Sequence, residues 1–249
     1  MPLIGSVHED GVLVLTLGNG VAHPLSLAMI RAIHQAVEEP GEARVILLHG
    51  PGKIFCAGHD LKEIARHRGD ADAGRGYLEE LFGACAGMML AIVQSPLPVI
   101  GVCEGIATAG GLQLLASCDL AFGSTAARFC LPGVSNGGFC TTPAVAVGRA
   151  IGARRTMELA LSGEVFDAQW GREAGLVNRV LPDNELMPFA MDFARTLAGR
   201  HAPAVQAGKR GFREQMGMPL DEAYIHATEI MIGHFMDPER VRRDLDRWA

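Results

Sequence analysis

Residues 99–122 read VIGVCEGIATAGGLQLLASCDLAF and contain a strand, a turn, a helix and a second strand. The first part, Val99–Cys103, is short, apolar and partly β-branched, which is typical of a strand that is buried on both faces. Small residues then lead into an apolar helix over 110–116, and residues 119–122 form the next strand. Because parallel strands are joined by such helical crossovers, this stretch predicts an α/β fold.

The same alternation extends in both directions along the chain. Further strands are predicted at 4–8, 12–17, 44–49 and 177–181, and further helices from Pro24 onward and over 77–93. After residue 184 the pattern is only helical, over 185–197, 204–215 and 220–236. We therefore predict a core at 1–195 and a helical C-terminal region at 196–249.

The last of these helices carries many apolar residues for a helix at the end of a chain. We expect this apolar face to be buried against the core or against another subunit, because large apolar patches rarely stay exposed to water. The residues concerned are Leu220, Ile225, Ile230, Met231, Ile232 and Phe235.

The composition is that of an ordinary globular protein. The 249 residues are 49% hydrophobic and 20% charged, with a net charge of −6, and a chain of this length can bury a substantial core. Lysine occurs only at Lys53, Lys62 and Lys209, and no basic run is present. We therefore do not expect nucleic acid as a partner. An anionic ligand would have to be bound by a few placed cations and by backbone N–H groups.

The cysteines predict a reduced protein without a metal site. They lie in apolar or glycine-rich surroundings, and no two of them have the C-x-x-C spacing, so neither zinc nor a disulfide framework is expected. Residues 1–11 lack the pattern of a secretory leader. These observations together predict a cytoplasmic protein. The cysteines are Cys56, Cys85, Cys103, Cys118, Cys130 and Cys140.

Residues 81–103 carry no charge, and the stretch is long enough to suggest a membrane span. Its middle is interrupted by Gln94, Ser95, Pro96 and Pro98. We therefore predict a buried helix followed by a buried strand, and no association with a membrane.

Two loops of small residues each join a strand to a helix. The first is FCAGHDLKE at 55–63 and the second is GIATAGGLQ at 105–113. The first amides of a helix have no partner within the helix, so such loops can present free N–H groups to a negatively charged oxygen. Two of them together could form an oxyanion hole. On spacing alone, the favoured interpretation of the first loop is a plain strand-to-helix turn in which Asp60 caps the helix.

The motifs FCAGHDL at 55–61, GIATAGGLQLLASCD at 105–119 and GREAGLV at 171–177 occur in an order and spacing that resemble those of the crotonase superfamily. This superfamily is also called the enoyl-CoA hydratase/isomerase family. The run PGVSNGGFCTTP at 132–143 and the Gly-His-Asp of the first loop resemble a subgroup named enoyl-CoA hydratase domain-containing protein 3.

The resemblance implies a spiral of strand-strand-helix units with a helical C-terminal trimerisation region, and homotrimers that commonly pair into hexamers. It also implies a coenzyme A thioester as substrate or ligand, with no prosthetic group. The thioester carbonyl would lie between the backbone N–H groups of His59 and Gly110. The other residues expected to bind acyl-CoA are Ala22, Ala57, Asp60, Leu61, Lys62, Ile106, Asn136 and Lys209.

The chain departs from the family at both positions where hydratases carry a catalytic glutamate. Gln113 and Gly133 stand there instead. A glutamine cannot take a proton from water and a glycine has no side chain, so the usual acid/base pair is absent. We therefore predict weak hydratase activity. A test that follows is to replace both residues by glutamate, which should raise the hydration rate.

Other residues could carry chemistry in place of the missing pair. Cys140 aligns with the nucleophile of a dehalogenating family member, although a buried thiol is the simpler interpretation. Glu104 is a possible base, although a partner for a backbone amide or an arginine is the preferred interpretation. Asn136 and Gln113 could orient a water or hold an acyl oxygen without transferring protons. For His59 the motif implies only the backbone N–H, and the side chain could face ligand or solvent.

Two further functions compete with an acyl-CoA lyase or isomerase. A non-catalytic acyl-CoA binding or regulatory protein would keep the oxyanion hole and lack the acid and base. The run Gly133–Gly137 also fits G-x-S-x-G, the nucleophile elbow of α/β-hydrolases. An elbow needs a strand directly before the serine and a helix directly after it, and the sequence around Ser135 does not predict that context.

Overall fold

The computed structural model describes residues 2–248, in which ten strands form two sheets. The six-stranded sheet has the order β1-β2-β3-β5-β7-β10 and the four-stranded sheet the order β4-β6-β8-β9. The strands are β1 (Ile4–Glu9), β2 (Val12–Leu17), β3 (Val45–Gly50), β4 (Ile54–Cys56), β5 (Val99–Cys103), β6 (Ile106–Thr108), β7 (Leu120–Ser124), β8 (Arg128–Cys130), β9 (Phe166–Asp167) and β10 (Arg179–Leu181).

Eleven α-helices occur in the same described residues. They are α1 (Leu27–Glu38), α2 (Leu61–Arg66), α3 (Arg75–Gln94), α4 (Gly110–Ser117), α5 (Thr141–Ile151), α6 (Ala153–Ser162), α7 (Ala168–Ala174), α8 (Asp183–Ala198), α9 (Ala202–Gln215), α10 (Leu220–Phe235) and α11 (Pro238–Trp248). Short 3₁₀ turns lie at His67–Gly69 and Pro132–Asn136.

The larger sheet is parallel except for the β1–β2 hairpin at its edge. Every residue of β3 and β5 is buried, because helices cover both faces of a parallel sheet. This burial explains their continuous apolar sequence, and it confirms the predicted α/β class.

Each of three central strands is followed by a short strand in the other sheet and then by a helix. The units are β3-β4-α2, β5-β6-α4 and β7-β8-α5. The short strands β4, β6 and β8 pair in parallel with one another. The predicted spiral of strand-strand-helix units is therefore confirmed, and it places the loops after β4 and β6 at the same edge of the small sheet.

The first helix begins later than the sequence predicted. It starts at Leu27, and Ser26 caps it by accepting a hydrogen bond from the N–H of Met29 at 3.1 Å. Pro24 is therefore not the first helical residue. Instead, Leu25 forms a parallel bridge with His59, because the segment before the helix is held by the first loop.

Helix α3 is the one helix of the described residues that is long and apolar enough to cross a membrane by length and composition. In its most apolar window, 28% of the residues are buried. The helix packs against α1 and α4, and β5 follows it at the centre of the larger sheet. The charge-free stretch 81–103 is thus a helix followed by a strand, as predicted.

The chain divides into two compact units, Met1–Ala198 and Gly199–Ala249. The predicted boundary after residue 195 falls inside α8, which continues to Ala198. Arg195 also pairs with Asp10 at 3.0 Å and with Glu9, both in the β1–β2 turn region. The last turn of α8 therefore belongs to the first unit.

In the second unit, most of the apolar residues that were expected to be buried are exposed in the single chain. Ile230 is half-buried and lies against Gly211 of α9, where an added Cβ would come within 2.1 Å of its Cδ1. Between 50% and 75% of the surface of the others is exposed, namely Leu220, Ile225, Met231, Ile232 and Phe235. These five side chains are therefore not buried in the single chain, and burial against another subunit, the other alternative, stays a prediction.

Candidate active site

The first loop is held in place by the segment before α1. The N–H of Ala57 donates to the carbonyl of Ala22 at 3.0 Å, and the N–H of Leu25 donates to the carbonyl of Gly58 at 2.8 Å. The N–H of Asp60 returns to the carbonyl of Leu25 at 3.2 Å. Since alternate amides of extended chain point to opposite sides, this pairing leaves the N–H of His59 directed away from Leu25.

Asp60 caps the helix that follows this loop. Its Oδ1 accepts from the N–H groups of Lys62 at 2.9 Å and Glu63 at 3.2 Å, as an N-cap residue does. The carboxylate is therefore engaged in holding the start of α2. Asp60 is therefore the N-cap of α2, as the plain-turn interpretation of the first loop predicted.

The second loop turns sharply into α4 through a residue with an unusual backbone. Ala109 has φ 50° and ψ −121°, a region that residues other than glycine rarely occupy. Its N–H is anchored to the carbonyl of Cys130 at 3.0 Å. The strained turn makes Gly110 the first residue of α4, where a backbone N–H has no partner within the helix.

The two loops meet at Gly58 and Gly110. A Cβ added to Gly58, which has φ +83°, would lie 2.9 Å from the backbone N of Gly110. Within residues 2–248, neither the N–H of His59 nor that of Gly110 donates a hydrogen bond. The chain thus places two free amides beside each other at the carboxyl ends of the neighbouring strands β4 and β6.

The side chain of His59 lies over the second loop. A Cβ on Gly110 would lie 3.3 Å from its Cε1 and 3.4 Å from its Nδ1. On another side, the imidazole makes an edge contact with the ring of Phe82, with a centroid distance of 4.9 Å. Its Nε2 is buried without a partner, and burial lowers the pKa of this imidazole. The ring is therefore neutral at pH 7.

Two residues that pack at this site were not indicated by the sequence. Phe82 contacts the imidazole of His59, and Leu25 forms a bridge with the first loop. An added Cβ on Gly110 would also touch Leu25 Cδ1 at 3.3 Å. Neither residue carries a polar group or belongs to a motif, so the sequence has no signal for them.

Gln113 lies one helical turn after Gly110 and is 5% exposed. Side chains of a helix point toward its N-terminus, which directs Gln113 toward the turn at 109–110. Its Oε1 is buried and has no hydrogen-bond partner within the described part of the chain. A buried carbonyl oxygen without a partner is unfavourable, so this atom can accept a hydrogen bond from a ligand or a water.

Gly133, at the second position where the resemblance implies a glutamate, lies against Cys140. A Cβ on Gly133 would lie 2.6 Å from the backbone N of Cys140 and 3.0 Å from its Sγ. Cys140 is 8% exposed, and burial raises the pKa of its thiol. The thiol is therefore protonated at neutral pH and a poor nucleophile, which favours the interpretation of Cys140 as a buried apolar residue.

Glu104 lies at the opposite end of the small sheet from His59 and Gly110. It precedes β6, whereas Gly110 follows β6. Its Oε1 is 2.8 Å from Nε2 of His49, and its Oε2 accepts from the N–H of Gly52 at 2.6 Å. The structure therefore does not support Glu104 as a catalytic base. Its carboxylate accepts a hydrogen bond from the N–H of Gly52, and this contact lies at the other end of the small sheet from the free N–H groups of His59 and Gly110.

The remaining predicted ligand residues are spread over several elements. Leu61 and Lys62 are exposed in the first turn of α2, while Ile106 is half-buried in β6. Asn136 is exposed and donates to the carbonyl of Pro132 at 3.3 Å. Lys209 lies in α9, in the second compact unit.

The hydrolase alternative is excluded by the local structure. Ser135 is exposed within the 3₁₀ turn Pro132–Asn136, and α5 begins only at Thr141. A nucleophile elbow requires a strand directly before the serine and a helix directly after it.

Comparison with known proteins identifies relatives along almost the whole chain. The family model described as enoyl-CoA hydratase/isomerase matches residues 8–249. Enoyl-CoA hydratase domain-containing protein 3 of Rattus norvegicus, named as mitochondrial, is 35% identical over 92% of this chain and 76% of its own length.

Solved structures show the same architecture. An enoyl-CoA hydratase/isomerase family protein from Silicibacter pomeroyi is 51% identical, covers 95% of this chain and 100% of its own, and has a TM-score of 0.90. The human enoyl-CoA hydratase domain-containing protein 3 is 32% identical and covers 100% of this chain and 99% of its own, with a TM-score of 0.91. The resemblance read from the motifs is confirmed.

The prediction of a cytoplasmic protein is wrong by this comparison. The relatives from rat, mouse and human are all named as mitochondrial proteins. The prediction rested on the cysteines and on the composition of residues 1–11. Reduced cysteines and a globular composition are properties of the folded domain, and they do not distinguish one reducing compartment from another.

Proposed function

This chain belongs to the enoyl-CoA hydratase/isomerase family, and from that premise we propose that it binds an acyl-CoA thioester and polarises its carbonyl. The family acts on CoA thioesters. The N–H groups of His59 and Gly110 would donate to the thioester oxygen and stabilise the negative charge that develops there in an enolate. The reaction would be of the lyase or isomerase type.

One observation carries this proposal. The loops after β4 and β6 touch at Gly58 and Gly110 and leave two adjacent N–H groups without acceptors in the described chain. Backbone amides held in this way need no reorganisation when charge develops on an oxygen. Such an arrangement supports recognition of a carbonyl whose oxygen becomes negative during the reaction.

A non-catalytic acyl-CoA binding protein is the second candidate. The residues at positions 113 and 133, where hydratases carry their glutamates, favour it. Gln113 cannot exchange protons, and the surroundings of Gly133 are filled by the backbone of residues 139–140. A protein with this site would hold the thioester carbonyl without a glutamate to supply or remove a proton.

A single preparation can distinguish the two functions. Mass spectrometry of the protein purified under native conditions would identify any co-purifying thioester, and a panel of acyl-CoA compounds would then be incubated with near-stoichiometric protein. Turnover of one thioester supports an enzyme, whereas tight binding without turnover supports the binding protein. If no acyl-CoA binds, both candidates are wrong.

Two lysines are expected to contribute to the binding of coenzyme A. Lys62→Ala and Lys209→Ala should each weaken CoA binding by about 0.5–2 kcal/mol, as partly exposed charge contacts to phosphate do. Isothermal calorimetry measures the effect. Lys53→Ala is the control, because Lys53 lies beside Glu104 in the cleft at the other end of the small sheet. An unchanged affinity in the Lys62/Lys209 double variant would exclude both lysines from the site.

We also propose that the protein is a homotrimer or a hexamer. The support is the exposed apolar face of α10, which a monomer would leave in water. Light scattering at micromolar concentration should report a mass of three or six chains. Ile232→Glu, on that face, should shift the mass toward the monomer, whereas Glu222→Gln, a polar position of the same helix, should not. A monomeric wild-type protein would contradict the proposal.

A further inference from the structure

His59 has an imidazole whose position the oxyanion hole does not require, since only its backbone N–H is needed there. The Cε1–Nδ1 edge of the ring faces Gly110, with Nδ1 at 3.4 Å from the Cβ position of that residue. An ideal Cβ is only two bonds from the backbone N of its own residue. The ring edge that carries Nδ1 therefore borders the residue whose N–H would bind a thioester oxygen.

The burial of Nε2 determines where the proton of the ring lies. Nε2 is buried and has no hydrogen-bond partner within the described chain. A buried N–H without an acceptor is more unfavourable than a ring nitrogen whose lone pair is unused. The neutral ring therefore carries its proton on Nδ1, the nitrogen that faces Gly110. The low pKa that burial imposes keeps the ring in this neutral form at pH 7.

We infer that the Nδ1–H of His59 donates a third hydrogen bond to the thioester oxygen, beside the backbone N–H groups of His59 and Gly110. This inference rests on the proposed function, since it needs a thioester in the site. A neutral imidazole donates without removing a proton from the substrate, so the carbonyl is polarised and no group is transferred. His59 would then contribute both its backbone and its side chain to one oxygen.

The backbone and side-chain contributions of His59 can be separated by mutation, because every substitution except proline keeps the N–H. In His59→Asn, the amide nitrogen is attached to Cγ as Nδ1 is, and it can donate to the same oxygen. In His59→Leu, a methyl group occupies that position and no donor remains. These two variants form a matched pair around the wild type.

The experiment measures the carbonyl of a bound, unreactive thioester. Isotope-edited infrared spectra would be recorded for carbonyl-labelled butyryl-CoA with the wild type and both variants. We expect a C=O stretch shifted to lower frequency in the wild type and in His59→Asn, and a smaller shift in His59→Leu, with butyryl-CoA bound in all three. An equal shift in His59→Leu would overturn the inference. Absence of binding to the wild type would overturn the proposed function instead.

A second measurement does not depend on the variants folding. Nitrogen-labelled histidine in the wild type reports by NMR which ring nitrogen of His59 carries the proton. We expect a protonated Nδ1 whose resonance moves when butyryl-CoA is added. A proton on Nε2 in the complex would overturn the inference.

Discussion

Gln113→Glu is expected to raise the rate of crotonyl-CoA hydration over that of the wild type by about 10-fold to 10²-fold. A general acid/base group is worth roughly 10² to 10⁴ in rate, and one of the two usual groups would be restored. The site already directs this side chain toward Gly110 and buries it. Burial would raise the pKa of the new carboxyl group toward neutrality, which suits proton exchange with water. Loss of enoyl-thioester absorbance measures the rate.

Gln113→Met is the control for this variant, since it fills the same space without a titratable group. It should leave hydration at or below the wild-type rate, and circular dichroism would show that both variants are folded. Efficient hydration by the wild-type protein itself would contradict our interpretation of the site, because some other residue would then transfer the proton.

The partner substitution Gly133→Glu is not a useful test, although the sequence proposed it. The backbone of Gly133 is not left-handed, so conformation is not the obstacle. The obstacle is space, because any Cβ would lie 2.6 Å from the N of Cys140 and 2.8 Å from the carbonyl carbon of Phe139. Overpacking against backbone typically costs about 1–3 kcal/mol. We expect the double variant to be no better a hydratase than Gln113→Glu alone.

Gly58→Ala is expected to weaken strongly the polarisation of a bound thioester. Its methyl group would lie 2.9 Å from the N of Gly110, which covers one of the two free amides. Loss of one oxyanion donor typically costs about 10²–10³ in rate. The carbonyl stretch of labelled butyryl-CoA and the residual turnover of any identified substrate measure the effect.

Gly52→Ala separates this blocking effect from backbone strain. Gly52 has φ +80°, close to the +83° of Gly58, but nothing lies within 4 Å of its Cβ position. Both variants therefore pay a similar penalty for a left-handed alanine, about 1–2 kcal/mol. Only Gly58→Ala should lose polarisation. If Gly52→Ala loses it equally, strain rather than coverage of the Gly110 amide explains the result.

The short strands of the small sheet could be placed only in three dimensions. β4, β6 and β8 have three residues each, which is too short for an alternating pattern to be recognised. The buried strand β5 and the helices α8, α9 and α10 were predicted closely, because a continuous apolar run indicates the strand and a helical period over many residues indicates the helices. The start of α1 was predicted too early, because the tertiary pairing of Leu25 with His59 outweighs the local preference of Pro24 for a helix start.

By itself, the sequence determined the α/β class, the two small-residue loops and the absence of carboxylates at Gln113 and Gly133. These features depend on residue identity and on local periodicity, which need no knowledge of distant contacts. The tertiary structure alone decided which groups meet. It placed the amides of His59 and Gly110 together and set Glu104 at the far end of the small sheet. The physical reason is that a side chain's neighbours and its direction are set by packing between segments that lie far apart in the chain.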